Sequence, residues 1–254
     1  MRMSKLFLPL AALALLALPS LPQEKTVNVG RVVANVPKPG MAKQYEEGRK
    51  RHMDWHRKQN DPWTWEVWQV QTGEATGAYL SITFNHTWKD FDTWEEKFGK
   101  GDTADAATNL EPYLTMETDS VWIRMTDVSR PPESKEPPKM AAVIHFMVKH
   151  GEGADFGYAI RKTHEAIGKT NWPAHYEWYA LANGGEGPHY VLVLPKKSWA
   201  DMAEIEPSFP AMLEKAFGRH EAESLLRTFG KSVSREWTEM IVYRPDLSYV
   251  PASK

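Results

Sequence analysis

The feature that most constrains the fold of this chain is an internal repeat. Residues 49–52, RKRH, return as RKTH at residues 161–164. Further matches follow at a constant spacing of 111 residues: Pro62 with Pro173, Glu66 with Glu177, Trp68 with Tyr179, Gly73 with Gly184, Tyr79 with Tyr190, Trp88 with Trp199 and Asp90 with Asp201. Self-similarity over such a length predicts two copies of one folded module.

Both copies have the same order of predicted elements. The first reads as a strand at 31–36, a helix at 40–59, strands at 63–71 and 78–85, a broken helical region at 88–113 and a strand at 118–126. The second reads as strands at 141–148, 174–182, 188–194 and 234–243, with helices at 154–169 and 208–229. This order is βαββαβ, the ferredoxin-like arrangement. A sheet with helices on one face needs a cover on the other, and the twin module can supply it. We predict an α+β protein of two tandem ferredoxin-like modules whose antiparallel sheets pack face to face as an intramolecular α/β barrel.

The module boundaries follow from composition. Residues 129–139, SRPPESKEPPK, have the proline and charge content of an extended, solvated linker. The first module is therefore predicted at 23–128 and the second at 140–254.

The N-terminus, residues 1–22, has the layout of a secretory signal peptide. Arg2 and Lys5 precede an apolar run from Leu6 to Leu18, and a Pro/Ser-rich exit follows. The run is too short to span a bilayer comfortably, and no later segment is long and apolar enough. We expect an exported protein, periplasmic or extracellular, with no stable membrane insertion after signal removal. The chain has no cysteine, so disulfides are excluded, and its net charge of −2 argues against nucleic-acid binding.

A tandem βαββαβ pair of this length resembles the dimeric α/β-barrel superfamily. That superfamily includes antibiotic-biosynthesis-monooxygenase-like, NIPSNAP-like and haem-binding chlorite dismutase-like proteins. The resemblance spans residues 28–245 and rests on element order and repeat. It implies the fold; the fold alone does not imply one chemistry.

The first predicted helix carries two histidines, in RKRHMDWH at 49–56. His52 falls on a stripe with Met41, Tyr45, Gly48 and Trp55 that is expected to face the sheet. The neighbouring cations, Arg49 included, are expected to remain solvated. His52 and His56 could both reach a metal, but no third ligand is identifiable from the sequence. A structural histidine is the preferred interpretation, and the repeat matches His52 with His164.

Residues 163–179, THEAIGKTNWPAHYEWY, resemble the haem-ligating run of chlorite dismutase-like proteins. The resemblance puts His164 at the axial iron position, with Pro173 before an aromatic strand. Those enzymes place an arginine near the start of that strand, whereas His175 and Tyr176 stand here. Haem with His164 as its metal ligand is therefore the alternative to having no cofactor, and a shared packing role for the histidine is a third interpretation.

Two acids, Glu66 and Glu177, stand at equivalent positions inside aromatic strands. A buried carboxylate is costly unless it is paired or hydrated. One interpretation pairs each acid with an arginine or histidine; the other makes them catalytic groups of a cavity, with His175 as a third. The side chains assigned to ligand binding are those of Trp65, Trp68, Tyr79, Tyr176, Trp178, Tyr179 and His52.

Three functions fit these observations. The first is binding of a small hydrophobic or aromatic molecule by a cofactor-free protein, with cofactor-independent oxidoreductase chemistry as an extension. The second is a haem protein or peroxidase-like oxidoreductase. The third is a non-catalytic interaction module that uses exposed sheet edges. Whether the chain is an enzyme is left open, as is the choice between a monomer and a homo-oligomer.

Overall fold

The computed structural model describes residues 28–134 and 136–251. The predicted signal peptide lies outside the described residues and stays a prediction. The strands are β1 (Val29–Pro37), β2 (Glu66–Thr72), β3 (Tyr79–His86), β4 (Leu114–Arg124), β5 (Met140–Val148), β6 (Glu177–Asn183), β7 (His189–Lys196) and β8 (Val233–Tyr243). The helices are α1 (Ala42–Gln59), α2 (Trp88–Trp94), α3 (Lys100–Asn109), α4 (Gly153–Thr170), α5 (Phe209–Phe217) and α6 (Arg219–Ser232), and a π-helical turn, Glu95–Gly99, joins α2 to α3.

The eight strands form one closed barrel in the order β1-β3-β2-β8-β5-β7-β6-β4. Two antiparallel junctions connect the modules. β2 pairs with β8, where Trp68 lies opposite Tyr243, and β4 pairs with β6, where Arg124 lies opposite Tyr179. The predicted α+β fold and intramolecular barrel are confirmed. Because each described strand has a neighbour on both sides, none of them offers the exposed edge that the interaction-module hypothesis needs.

The repeat is visible in the backbone. β1 and β5 begin at residues 29 and 140, α1 and α4 at 42 and 153, and β2 and β6 at 66 and 177, so each pair is separated by 111 positions. Both helices end at an asparagine in the left-handed conformation, Asn60 (φ 52°) and Asn171 (φ 50°). The similar segments RKRH and RKTH are 112 positions apart, one more than the spacing of the structural repeat. A shift of one residue along a helix rotates the side-chain direction by about 100°. His52 is therefore level with Thr163, and the predicted match with His164 is wrong by one position.

The buried face of α1 is more polar than the predicted stripe. Tyr45, Gly48 and His52 are buried as expected, whereas Met41 is exposed. Arg49 was expected to be solvated but is buried at 4% exposure, and its Nε and Nη2 atoms have no hydrogen-bond partner among the described residues. The helix packs so closely on the end of α3 that a Cβ at Gly48 would lie 1.9 Å from the Asn109 carbonyl oxygen. This close approach brings α3 side chains over α1, which one helix pattern cannot predict.

The two modules differ in the packing of their helices. In the second module α4, α5 and α6 bury an apolar layer against the barrel that includes Phe146, Phe156, Ile160, Met212 and Leu225. In the first module the corresponding layer contains an aromatic group formed by Met53, Trp63, Trp65, Trp94, Phe98 and Tyr249. Among the described residues, no helix has the length and apolar content needed to cross a bilayer.

Candidate functional site

The barrel encloses a cavity of about 970 Å³. Side chains alternate along each strand, so every second residue faces inward. Most of the inward side chains are apolar: Val32, Ala34, Trp68, Leu80, Ile82, Phe84, Trp122, Ala141, Val143, Val191, Val193 and Ile241. The volume is in the range of small-molecule sites, and an apolar wall with few polar groups is typical of them.

The polar groups near one end of the cavity include two carboxylates, an arginine and a tyrosine, and Asn85 accepts a hydrogen bond of 2.9 Å from Arg124. Arg124 of β4 places its Nε 3.1 Å from Oε1 of Glu177 and 3.4 Å from the Tyr179 hydroxyl. Glu66 accepts a hydrogen bond from the indole N–H of Trp68 at 3.2 Å. The two acids that the repeat relates thus differ in their partners, because only Glu177 forms an ion pair with Arg124.

This difference has an electrostatic consequence. Burial raises the pKa of Glu66, and the neighbouring Glu177 carboxylate adds to the increase; the Trp68 hydrogen bond and the Arg124 charge oppose it. Burial likewise raises the pKa of the Tyr179 phenol. A raised carboxyl pKa beside an arginine-paired carboxylate is the usual basis for assigning one acid to proton transfer and the other to charge balance.

A second polar group lines the cavity farther along β5 and was missed from the sequence. His145 and Glu239 both border the cavity, and His145 Nε2 lies 3.7 Å from a Glu239 carboxylate oxygen, too far for a hydrogen bond. The other ring nitrogen of His145 is 3.1 Å from Nε2 of His189. Burial first, and then electrostatic repulsion from the neighbouring His145 ring, lower the pKa of His189 to about 4. Strict alternation along β5 and β8 would have pointed both residues inward.

The linker between the modules borders the cavity mouth. Pro131, Pro132, Ser134, Pro137 and Pro138 all contribute to the lining. The linker is held by paired backbone hydrogen bonds of 2.8 Å between Arg130 and Tyr176. The described linker residues are exposed or partly exposed, and the prolines lie beside the cavity opening; the module boundary that the linker marks stays a prediction.

The structure separates the predicted site residues. Glu66, Trp68, Glu177 and Tyr179 line the cavity. The other predicted ligand-binding side chains, of Trp65, Tyr79, Tyr176, Trp178 and His52, belong to the outer helix-covered layers and do not line it. The reason is strand parity, since Tyr176 and Trp178 flank the inward Glu177. His175 is exposed, with Nδ1 3.2 Å from the Pro131 carbonyl oxygen, so it does not join the two acids.

His164 does not line the barrel cavity either. Its Nδ1 lies 2.8 Å from the Tyr176 hydroxyl, so the Tyr176 contact does not involve Nε2. Orientation alone would suit an iron ligand. However, the space between α4 and the barrel is filled by Phe146, Phe156 and Trp178. These side chains do not fit a haem group between α4 and the barrel with His164 as its ligand.

His52 belongs instead to a cluster on the outside of the first module. Together with His56 and Asp102 it forms a group whose ligand-type atoms all lie within 4.8 Å of one another. Asp102 lies on α3, outside the motif that contains the two histidines, so the sequence offered no reason to associate it with them.

The closed barrel of two βαββαβ halves is the dimeric α/β-barrel fold, and solved structures share it. A candidate monooxygenase from Lactobacillus acidophilus NCFM aligns over 89% of this chain and 97% of its own, with a TM-score of 0.53 and 8% identity. An anthrone oxidase-like protein aligns over 87% and 92%, with a TM-score of 0.50 and 10% identity. A chlorite dismutase variant from Candidatus Nitrospira defluvii aligns over 87% and 94%, with a TM-score of 0.51 and 11% identity.

No family model matches the sequence, and no curated protein is similar enough in sequence to match it. The predicted resemblance to the dimeric α/β-barrel superfamily is confirmed in the fold. At such low identity the comparisons show only the fold, and any activity has to be argued from the residues of this chain.

Proposed function

We propose that this protein binds a small, mainly apolar or aromatic molecule inside the barrel, with Glu66 as its proton-transfer group. The observation that carries the proposal is the cavity of about 970 Å³ with Glu66 and the Arg124–Glu177 pair near one end. A ligand with an aromatic body and one hydroxyl or similar polar group would fit a cavity whose wall is mostly apolar and has polar groups near one end.

The roles of the polar residues follow from their contacts. Arg124, paired with Glu177, is oriented to donate hydrogen bonds to a ligand oxygen and to stabilise negative charge that develops there. Among the described residues Glu66 has no cation partner of its own, and its pKa is raised, which suits a group that exchanges a proton with a ligand. Trp68 and Phe84 supply the apolar contacts.

The reaction class we propose is a cofactor-independent oxidoreduction that begins with proton removal from the bound molecule. Support comes from structures of this fold that include a candidate monooxygenase and an anthrone oxidase-like protein. Dioxygen would be the oxidant, so oxygen uptake in the presence of phenolic compounds separates an enzyme from a ligand carrier.

Binding is tested by titrating an environment-sensitive aromatic probe, such as anilinonaphthalene sulfonate, into the purified chain. Trp68→Ala should weaken binding at least tenfold, because the indole is part of the cavity wall. Tyr158→Ala, at an exposed aromatic on α4, is the matched control and should leave binding unchanged. Equal effects of both variants, or probe binding that does not respond to Trp68→Ala, would reject the cavity as the site.

The acid role is tested with Glu66→Gln against Glu177→Gln. If Glu66 transfers a proton, Glu66→Gln should abolish turnover of a phenolic substrate and keep its binding. Glu177→Gln should mainly raise KM, since it releases Arg124 from its partner. Identical losses in both variants would contradict the assigned roles.

Two further parts of the proposal have their own measurements. We propose export of the chain, which cell fractionation and N-terminal sequencing of the purified protein test. Haem is the competing cofactor, and supplying it during expression tests that alternative: a Soret band lost in His164→Ala would replace the cofactor-free proposal.

A further inference from the structure

The outer face of the first module carries a convergence of hydrogen-bond acceptors that the cavity does not use. Nε2 of His52 and Nε2 of His56 lie 3.2 Å apart. Each of them is 3.3 Å from the same oxygen, Oδ1 of Asp102. Three potential ligand atoms thus form a nearly equilateral triangle between α1 and α3.

The Nδ1 atom of each imidazole contacts a carboxylate, and this contact determines which ring nitrogen carries the proton. Nδ1 of His52 lies 2.8 Å from Oδ1 of Asp105, and Nδ1 of His56 lies 2.7 Å from Oδ2 of Asp61. Asp61 also accepts hydrogen bonds from the Trp63 backbone N–H and from the indoles of Trp65 and Trp94. The three tryptophan N–H groups can only donate, so Asp61 is the acceptor in each of these contacts.

An ionised carboxylate can only accept, so each Nδ1 must donate its proton outward. In the neutral imidazoles both Nε2 lone pairs then point into the triangle, where the third vertex is a carboxylate oxygen. Three acceptors at hydrogen-bonding distance with no donor among them repel one another. A cation bound to all three atoms removes the conflict.

We infer that His52, His56 and Asp102 form a binding site for a divalent transition-metal ion. Ligand atoms at about 2.0–2.2 Å from a metal are about 2.8–3.1 Å apart in octahedral geometry and about 3.3–3.6 Å apart in tetrahedral geometry. The 3.2–3.3 Å sides of the triangle are close to the tetrahedral value. Two imidazoles and one carboxylate are a known ligand set for Zn²⁺ and for non-haem Fe²⁺. Asp61 and Asp105 supply the outer carboxylates that orient such histidines.

The charge of the surroundings agrees with a divalent ion. Asp61, Asp102 and Asp105 bring three negative charges, while the buried Arg49, which interacts with Asp102, brings one positive charge. With neutral imidazoles the net charge is −2, and a divalent cation would balance it. An uncompensated charge of this size is expensive in a buried cluster.

The site has a closed and an open side. The side chains of His52 and His56 are 5% and 2% exposed, whereas that of Asp102 is 24% exposed. Trp55 stacks parallel to the His52 ring, and Tyr249 stacks against His56. Three protein ligands leave coordination positions free, and only the Asp102 side admits water or another small ligand to them.

The test uses the purified full-length chain after chelator treatment and dialysis. Calorimetric titration with Zn²⁺ should give one site of micromolar or tighter affinity, and Co²⁺ should give visible ligand-field absorption. Ca²⁺ and Mg²⁺ should not compete, because they prefer all-oxygen ligand sets. Asp102→Asn and His56→Gln should each weaken Zn²⁺ binding more than about 100-fold, and Asp105→Asn by about 10–100-fold. His164→Ala is the matched control on α4 and should bind Zn²⁺ normally.

Because a ligand variant could fail to fold, the decisive measurement is made on the unaltered chain. X-ray absorption of the bound Zn²⁺ should report two imidazole ligands and one carboxylate. Fewer than two imidazoles, or no stoichiometric binding of Zn²⁺ or Co²⁺ to the folded chain, would overturn the inference in favour of a protonated histidine pair held by Asp102.

Discussion

Helices α1 and α4 occupy equivalent places in the two modules and bury very different side chains. Both contain 18 residues and end at a left-handed asparagine. At the three positions where α4 buries Phe156, Ile160 and Ile167, α1 buries Tyr45, Arg49 and His56. One module thus has an apolar helix layer and the other a polar one on the same backbone plan.

This difference in buried side chains indicates that the helix layer of the second module contributes more to stability than that of the first. Burying an isoleucine or phenylalanine stabilises by about 1.5–3 kcal/mol, whereas a buried charge or unpaired polar group costs free energy. Within the described part of the chain, Arg49 and Tyr45 both carry buried polar atoms without hydrogen-bond partners. The apolar layer under α4 demonstrates that the same backbone arrangement accepts apolar side chains. The polar residues under α1 are therefore best explained by a function such as cation binding.

The largest expected effect comes from removing the carboxylate that organises the polar layer. Asp61→Ala should lower the free energy of unfolding by about 3–5 kcal/mol, because His56, Trp63, Trp65 and Trp94 lose an acceptor in a buried place. Chemical denaturation in the presence of EDTA measures the intrinsic loss. Trp172→Phe, at the equivalent position of the second module, removes one indole hydrogen bond to Pro207 and should cost about 1 kcal/mol. Equal losses would contradict the distinction between the layers.

The next effect comes from placing a polar residue of α1 into the layer of α4. Ile167→His introduces an imidazole where the equivalent of Asp61 is Trp172, so no carboxylate is placed to receive its N–H. We expect a loss of about 2–4 kcal/mol. Ile167→Val is the control for size and should cost about 0.5–1.5 kcal/mol. If the histidine variant were as stable as the valine variant, the α4 layer would tolerate polarity, and the comparison would fail.

Each module contains a buried or partly buried histidine outside the helices, so both modules should lose stability in mild acid. The contrast between the modules is then limited to their helix layers. Burial, with Asp90 and Asp61 opposing it, lowers the pKa of His86 to about 4, and burial followed by the His145 charge does the same for His189. The unfolded chain takes up these protons near pH 6.5, before the folded chain does. The two histidines should therefore destabilise the folded chain progressively, by about 2–3 kcal/mol each, as pH decreases from about 6.5 to 4, and their contribution should not change further below pH 4.

The measurement is denaturation across that pH window for His86→Asn and His189→Asn. Each variant should remove roughly half of the pH dependence assigned to this pair. A slope that survives in both variants would show that other groups bind the protons.

Much of the fold follows from the sequence, and the site follows only in part. The 111-residue repeat predicted both modules, and alternation placed Glu66 with Trp68 and Glu177 with Tyr179 correctly because a strand's two-residue period is rigid. Periodicity on α1 could not predict that Arg49 is buried, since its cover comes from α3. Asp102 was missed for the same reason: a ligand brought by a separate helix has no fixed spacing from the histidines.

The smallest effect tests the comparison at a single oxygen atom. Tyr45 and Phe156 occupy equivalent positions and are both fully buried, and no described residue forms a hydrogen bond with the Tyr45 hydroxyl. Tyr45→Phe should therefore leave stability unchanged or raise it by up to about 1 kcal/mol, because it removes an unsatisfied polar group. Phe156→Tyr adds such a hydroxyl to an apolar layer and should lower stability by about 1–3 kcal/mol. Both are measured by urea denaturation. If Tyr45→Phe were destabilising, the hydroxyl would have a partner in solution, and the polar layer of α1 would be better satisfied than its contacts indicate.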